Sequence, residues 1–250
     1  MPCSNPIWRP ELGRAQTCES HRHDIGSHAG PDSKTSPPGV AVSLSAAMST
    51  KWTRYYDAAG EQPRETLLSA LERFDAGAGA NEGGLFAVDL GCGTGRDTVE
   101  LLRRGWRVLA IDAEAEAIQR LLGRGDLDSG GAAGLATQVA RFENAGWPEA
   151  DLINSSYALP FCPPNQFGAV WHRVVASLRA GGRFSGHLFG DRDGWATQPD
   201  MSFQTREDAE ELLRGLEVEH FEEVEEDGET AVGDPKHWHL FQVVARKRTR

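Results

Sequence analysis

Residues 87–102 read AVDLGCGTGRDTVELL. An apolar run ends in an acid, three glycines alternate with other residues, and a helical pattern follows. A strand that runs through bare backbone into a helix start leaves N–H groups free and lets a ligand come close to the main chain. Such a turn belongs at the carboxyl end of a parallel strand. It therefore constrains the rest of the chain to supply a parallel sheet with covering helices.

The remaining pattern agrees. "PRETLLSALERF" from Pro63 places Leu67, Leu68, Leu71 and Phe74 at helical spacing, and proline suits a first helical turn. Strands are expected at 85–90, 107–111, 136–142, 151–154 and 183–189, with helices at 96–104, 113–122, 167–179 and 205–213. Asp112 is expected to cap the second of these helices, and Gly181-Gly182 to stop the third. Two final strands, 218–225 and 238–245, are joined by the polar segment EDGETAVGDPK with no helix between them. That makes an antiparallel hairpin at the sheet edge. The expected fold is α/β: a Rossmann-like, doubly wound, mostly parallel seven-stranded sheet with helices on both faces.

The chain has 250 residues and a formal net charge of −11. Residues 1–47 carry four basic and four acidic residues, so the whole acidic excess lies on residues 48–250. An acidic body argues against nucleic acid as partner, because phosphate binding rests on Lys and Arg. The end Arg246-Lys247-Arg248-Thr249-Arg250 reads as a solvated tail. Cys3, Cys18, Cys92 and Cys162 have neither disulfide nor C-x-x-C spacing, which fits a reducing cytoplasm. No apolar run approaches the roughly 18 residues of a membrane helix. Oligomeric state is not legible.

Residues 1–47 are rich in Pro, Ser, Gly and His without an apolar period, and are expected to be a disordered extension preceding a domain at 48–250. Their Cys18, His21, His23 and His28 lack the framework of a metal cage, and no metal site is expected. Met48 opens the first aromatic, amphipathic segment and is the expected start of the working protein.

The glycine box reads Gly91-x-Gly93-x-Gly95, tighter than the G-x-G-x-x-G of dinucleotide binders, so a nicotinamide oxidoreductase is disfavoured. The next strand ends VLAID, with Asp112 placed 17 residues after Gly95. A carboxylate there suits the two hydroxyls of a ribose. Asp89 also suits a turn cap, and Asp112 a helix cap.

Through these residues the sequence resembles the class I S-adenosylmethionine-dependent methyltransferases. VDLGCGTG resembles their first motif and VLAID their second, and the likeness extends from about Trp52 to Lys247. The run from Gly91 to Asp112 is also similar to the small-molecule branch that includes tellurite-resistance-type enzymes. The resemblance implies S-adenosyl-L-methionine as cofactor. It implies Gly91, Cys92, Gly93 and Gly95 along its amino-acid end, Asp89 toward its ammonium and Asp112 on its ribose. Ala113 or Phe142 would lie on the adenine face, Glu143 at the adenine amino group, and Asn154 at the end of the fourth strand. Cys92 equally reads as a small buried filler, and Arg96 as solvent-exposed or ligand-directed.

For the acceptor, Asn154-Ser155-Ser156-Tyr157 stands where nucleic-acid amine methyltransferases carry Asn/Asp-Pro-Pro-Tyr/Phe. The prolines are missing, which again points to a small molecule. Trp52, Tyr55 and Tyr56 precede the sheet, where aromatic faces suit a sulfonium or staple the segment to the core. Trp52, Tyr56, Tyr157 and Arg192 are the substrate candidates, and His187 the one candidate base. Asp191 and Asp193 flank Arg192 in the same loop. His237 and His239 share one strand face and read as part of an ordinary half-exposed strand. The expected activity is methyl transfer to an unidentified small molecule. The alternative is a non-catalytic protein that senses the cofactor or its demethylated product, and aminopropyl transfer is a lesser enzymatic one.

Overall fold

Strand β1 (Phe86–Leu90) is buried at all five positions, as a strand covered on both faces of a parallel sheet must be. In the computed structural model, which describes residues 52–75, 84–127 and 129–249, β1 lies inside the sheet, between β2 and β4. The extension up to residue 47, its Cys/His cluster and the Met48 start lie outside the described residues.

In chain order come a helical segment α1 (52–58), α2 (Glu65–Asp75), β1, α3 (Arg96–Arg103), β2 (Arg107–Asp112) and α4 (Ala115–Leu122). Then follow α5 (Ser129–Gly134), β3 (Leu135–Val139), β4 (Ala150–Ser155), a short 3-10 turn (Leu159–Phe161), α6 (Pro164–Ser177) and β5 (Leu178–Gly190). The two-residue β6 (Phe203–Gln204), α7 (Arg206–Leu212), β7 (Leu216–Glu229) and β8 (Pro235–Lys247) complete the domain. The spatial order is β3-β2-β1-β4-β5-β8-β7, with β6 added on β5. The ladders from β3 to β6 are parallel, and β8 is antiparallel to both neighbours. Seven strands form the expected sheet, and β6 is an eighth, too short to show as a sequence period.

Each strand turns alternate residues to opposite faces. Val88, Leu90, Ile153 and Phe184 pack on Phe167, Trp171 and Val174 of α6 and on Ala209 and Leu213 at α7. Ala87, Val108 and Leu152 pack on Leu67, Ala70 and Leu71 of α2 and on Leu101 and Leu102 of α3. The strand order reverses at β1, between β2 and β4, and the carboxyl ends there frame a crevice suited to a ligand.

Three element ends differ from the sequence reading. The second α/β helix starts at Ala115, with Glu114 at the N-cap position and no side-chain cap. Asp112 instead accepts hydrogen bonds from the N–H groups of Gly93 and Glu114, both at 2.9 Å. Helix α6 passes into β5 at Leu178 without a glycine stop. The Lys247 ammonium donates to the carbonyls of Val175, Ala176 and Leu178 at 3.1, 3.0 and 2.6 Å, satisfying groups that a helix end leaves open. The basic tail is therefore tied down at its start. The hairpin is also longer than expected, because most of EDGETAVGDPK continues the strands.

Candidate functional site

The glycine turn follows directly from local stereochemistry. Gly91, Gly93 and Gly95 all have positive φ, at 73, 53 and 86°, a region that L side chains avoid. Gly91 is also pressed against Ala158, so that a Cβ would overlap the alanine methyl. A Cβ at Gly95 would meet Leu121 of α4, so Gly95 serves helix packing rather than a ligand.

A cavity of about 850 Å³ opens above this turn. Asp89, Gly91, Cys92, Gly93, Asp112, Ala113 and Phe142 line one half, with Trp52, Tyr55 and Tyr56 of α1 facing them. The structure brings these sequence-predicted positions together around one cavity. Cys92 is both filler and wall, and burial pushes its thiol well above the usual range.

Beneath the turn lies a buried polar network. Asp89 accepts from Thr98 Oγ1 at 2.6 Å and from Asn154 Nδ2 at 2.9 Å. Asn154 Nδ2 also donates to Asp97 at 3.0 Å, while its Oδ1 accepts from Ser185 Oγ at 2.8 Å. Asp97 further accepts from Ser156 Oγ at 2.6 Å and from the Arg64 backbone N–H at 2.9 Å. Burial first, and the neighbouring Asp97 second, raise the Asp89 carboxyl to about 7. Burial likewise raises Asp112, partly offset by its backbone N–H bonds.

Several candidates lie off the wall. Asn154 is fully buried and acts by bridging two carboxylates. Glu143 pairs with Arg141 Nε at 2.6 Å, and its Oε2 is buried without a partner. Arg192 points to the outer face, held by Glu223 at 2.8 Å and Glu225 at 2.7 Å. His187 is 3 % exposed and lies under the Tyr157 ring, centroids 3.9 Å apart. Its Nδ1 has no partner, and burial lowers its pKa to about 3. It is a neutral ring covered by Tyr157, not a base on the cavity wall. Tyr157 has φ 56°, and that left-handed backbone accompanies a ring laid across β5. His239 is fully buried against Arg192 and Glu223, while His237 meets Asp227 and Glu225. The half-exposed reading thus holds for His237 alone. Among the described residues no group of three His, Cys, Asp or Glu is placed to hold a metal.

The sequence reading missed Arg64, which lines the cavity 4.5 Å over the Tyr157 ring. It also missed Phe161, Phe189, Trp195, Met201 and Trp238, which line the other half. A signal existed: Trp238, Leu240 and Gln242 alternate along β8, and all three face the cavity. Arg96, left open before, is on the wall too, and burial lowers its pKa, with Arg64 the next cause.

The geometry has counterparts in known proteins. Residues 87–182 match the family model described as "Methyltransferase domain". Residues 87–182 thus carry a methyltransferase domain. Among solved structures, TehB from Haemophilus influenzae is similar with a TM-score of 0.59 and 16% identity, over 72% of this chain and 61% of that one. The present chain thus spans less than two thirds of TehB. Magnesium protoporphyrin IX methyltransferase (ChlM) from Synechocystis PCC 6803 with bound SAH is similar with a TM-score of 0.59 and 14% identity, over 82% of this chain and 98% of that one. The 1,6-didemethyltoxoflavin-N1-methyltransferase of Burkholderia thailandensis gives a TM-score of 0.51 and 22% identity, over 86% and 93%. At these identities the likeness is one of fold. No curated protein matches the sequence. No described helix is long and apolar enough to cross a membrane.

Proposed function

We propose that this methyltransferase moves a methyl group from S-adenosyl-L-methionine to a small organic molecule. The observation that carries the reading is the pairing of Asp112 with the glycine turn: the carboxylate lines the cavity and bonds the Gly93 N–H at 2.9 Å. The close contact of Gly91 with Ala158 leaves a bare-backbone cradle beside it, and the donor set fits the group. When bound, the cofactor supplies a methyl already activated on sulfur.

The chain's own residues then position. Asp112 accepts the ribose hydroxyls. Asp89, held by Thr98 and Asn154, takes the ammonium of the amino-acid end. The Arg64 and Arg96 guanidinium groups form no ion pair among the described residues, and they offer charge to its carboxylate. Phe142 and Ala113 pack the base. The α1 aromatics exclude water. Alignment of reactants alone is worth about 7–11 kcal/mol, enough to make general-base help secondary. Burial raises the Tyr157 hydroxyl, so it stays protonated and can donate to an acceptor. Enclosure of the acceptor within the same cavity favours a small molecule over a polymer.

Calorimetric titration of the full chain with S-adenosylhomocysteine tests the reading. Binding is expected, with a loss of about 100-fold in Asp112→Ala, as two charge-assisted hydrogen bonds disappear. Retained affinity in the variant, or binding of NAD instead, overturns it. Binding without transfer of labelled methyl to any metabolite would favour the sensor alternative.

A further inference from the structure

Beyond the cofactor half, the cavity ends in a bowl of aromatic rings. Tyr157 lies 5.9 Å from Trp238, Trp238 lies 5.9 Å from Trp195, and Trp195 lies 6.2 Å from both Phe161 and Phe189. These rings come from four separate segments: the β4 end, the β5 end, the loop before β6, and β8. Their planes are tilted by 48 to 85° to one another, so they pack edge-on, and all five line the cavity.

The bowl is fixed from behind. Lys236 does not line the cavity. Its ammonium packs 4.0 Å from Trp238, 4.3 Å from Trp195 and 5.2 Å from Phe189, and it pairs with Asp193 where both side chains are buried. Asp193 also accepts the backbone N–H groups of Trp195 and His239. Burying an ion pair is costly unless every group is satisfied. Here it ties the loop carrying Trp195 to the strand carrying Trp238.

The hairpin adds a charge asymmetry. On its outer face, Glu223 and Glu225 are paired with Arg192, with Arg206 and with histidines. Glu226 and Glu229, which line the cavity with Asp200 and Asp234, form no ion pair among the described residues. The strand neutralises one face and leaves the cavity face negative.

We propose that this bowl is the acceptor subsite, and that the acceptor is a planar aromatic small molecule bearing a cationic group. The ring seats on Trp195 and Trp238, because the Tyr157 ring is already faced by His187 at 3.9 Å and by Arg64 at 4.5 Å, and the cation points to Glu226 and the hairpin acids. This rests on the methyltransferase reading above. Flat π-faces suit a ring and, together with unpaired carboxylates, suit a cation.

The test uses two probes with the same ring and opposite charge. The full chain, saturated with S-adenosylhomocysteine, is titrated with tryptamine and with indole-3-acetate. Tryptamine is expected to bind at least about tenfold tighter, the size of one desolvated cation–aromatic contact. Trp238→Ala should lose it while S-adenosylhomocysteine affinity holds within about twofold, since that ring touches the bowl alone. A Glu226→Gln/Glu229→Gln pair should erase the preference between the probes. Equal or reversed affinities, or no binding of either probe by a protein that holds S-adenosylhomocysteine, overturn the proposal. Failure to bind S-adenosylhomocysteine overturns the reading beneath it instead.

Discussion

The two halves of the cavity are built by opposite means. The proposed cofactor half is made of backbone and strand ends: a glycine turn, the carboxylates of Asp89 and Asp112 at the ends of β1 and β2, and a buried network beneath. The proposed acceptor half is made of side chains from four distant segments, held by a buried Lys236–Asp193 pair. The first is dictated by neighbours in sequence, so its chemistry is fixed by the fold. The second depends on loops that pack only once the sheet is complete, so it can vary without disturbing the first.

The sharpest way to break the cofactor half is at Gly91. A methyl group there would overlap Ala158 and hold φ near 73°, which alanine resists. Overpacking and backbone strain together cost about 2–4 kcal/mol. Gly91→Ala should weaken S-adenosylhomocysteine binding by about 100-fold, as the turn shifts away from the crevice. Normal affinity in calorimetry would show that the turn does not approach the ligand.

The matching break in the other half is Lys236→Met, which keeps the volume and removes the charge. Asp193 is then buried without its cation, a change worth about 3–5 kcal/mol, and the melting temperature should fall accordingly. The loop should loosen, and tryptamine affinity should drop about tenfold, because the bowl is no longer preorganised. Cofactor affinity should hardly move. A parallel loss of both ligands would mean that the halves are not independent. Lys236→Met/Asp193→Asn should recover most of the stability, since the orphan charge is gone.

The same contrast explains what was legible in the sequence. The sheet, its helices and the edge hairpin follow from apolar periodicity, and Gly91, Gly93, Asp89 and Asp112 follow from the spacing of one turn and one strand end. Glu143 and Arg192 were misplaced because an acid or a base after a strand carries no mark of its partner: Arg141 takes one, and Glu223 with Glu225 takes the other. His187, the candidate base, sits in β5 opposite Gln242 of β8 but off the cavity wall. No local pattern foretells that Tyr157 would cover it. Trp195 and Trp238 are 43 positions apart, joined through an ion pair that no spacing rule encodes.

The smallest expected effect is a pH dependence confined to the cofactor half. Asp89 is raised to about 7, chiefly by burial, against about 3.9 in an unfolded chain. Between these values the native state holds a proton that the unfolded state has released, so this group makes the ligand-free protein less stable as pH rises from about 4 to 7. His187, lowered to about 3, works the other way below about 6.5, where the unfolded state takes the extra proton. The two oppose each other in mild acid, so the window from pH 6 to 8 isolates Asp89. An ammonium pairs only with the ionised carboxylate. Binding of S-adenosylhomocysteine should therefore release a fraction of a proton near pH 6 and tighten by about five- to tenfold between pH 6 and 8. Calorimetry in two buffers of different ionisation enthalpy reads the proton directly. Asp89→Asn should flatten the profile, with tryptamine binding unchanged. A profile that persists in the variant would assign the proton to another group, with Asp112, also raised by burial, the next to test.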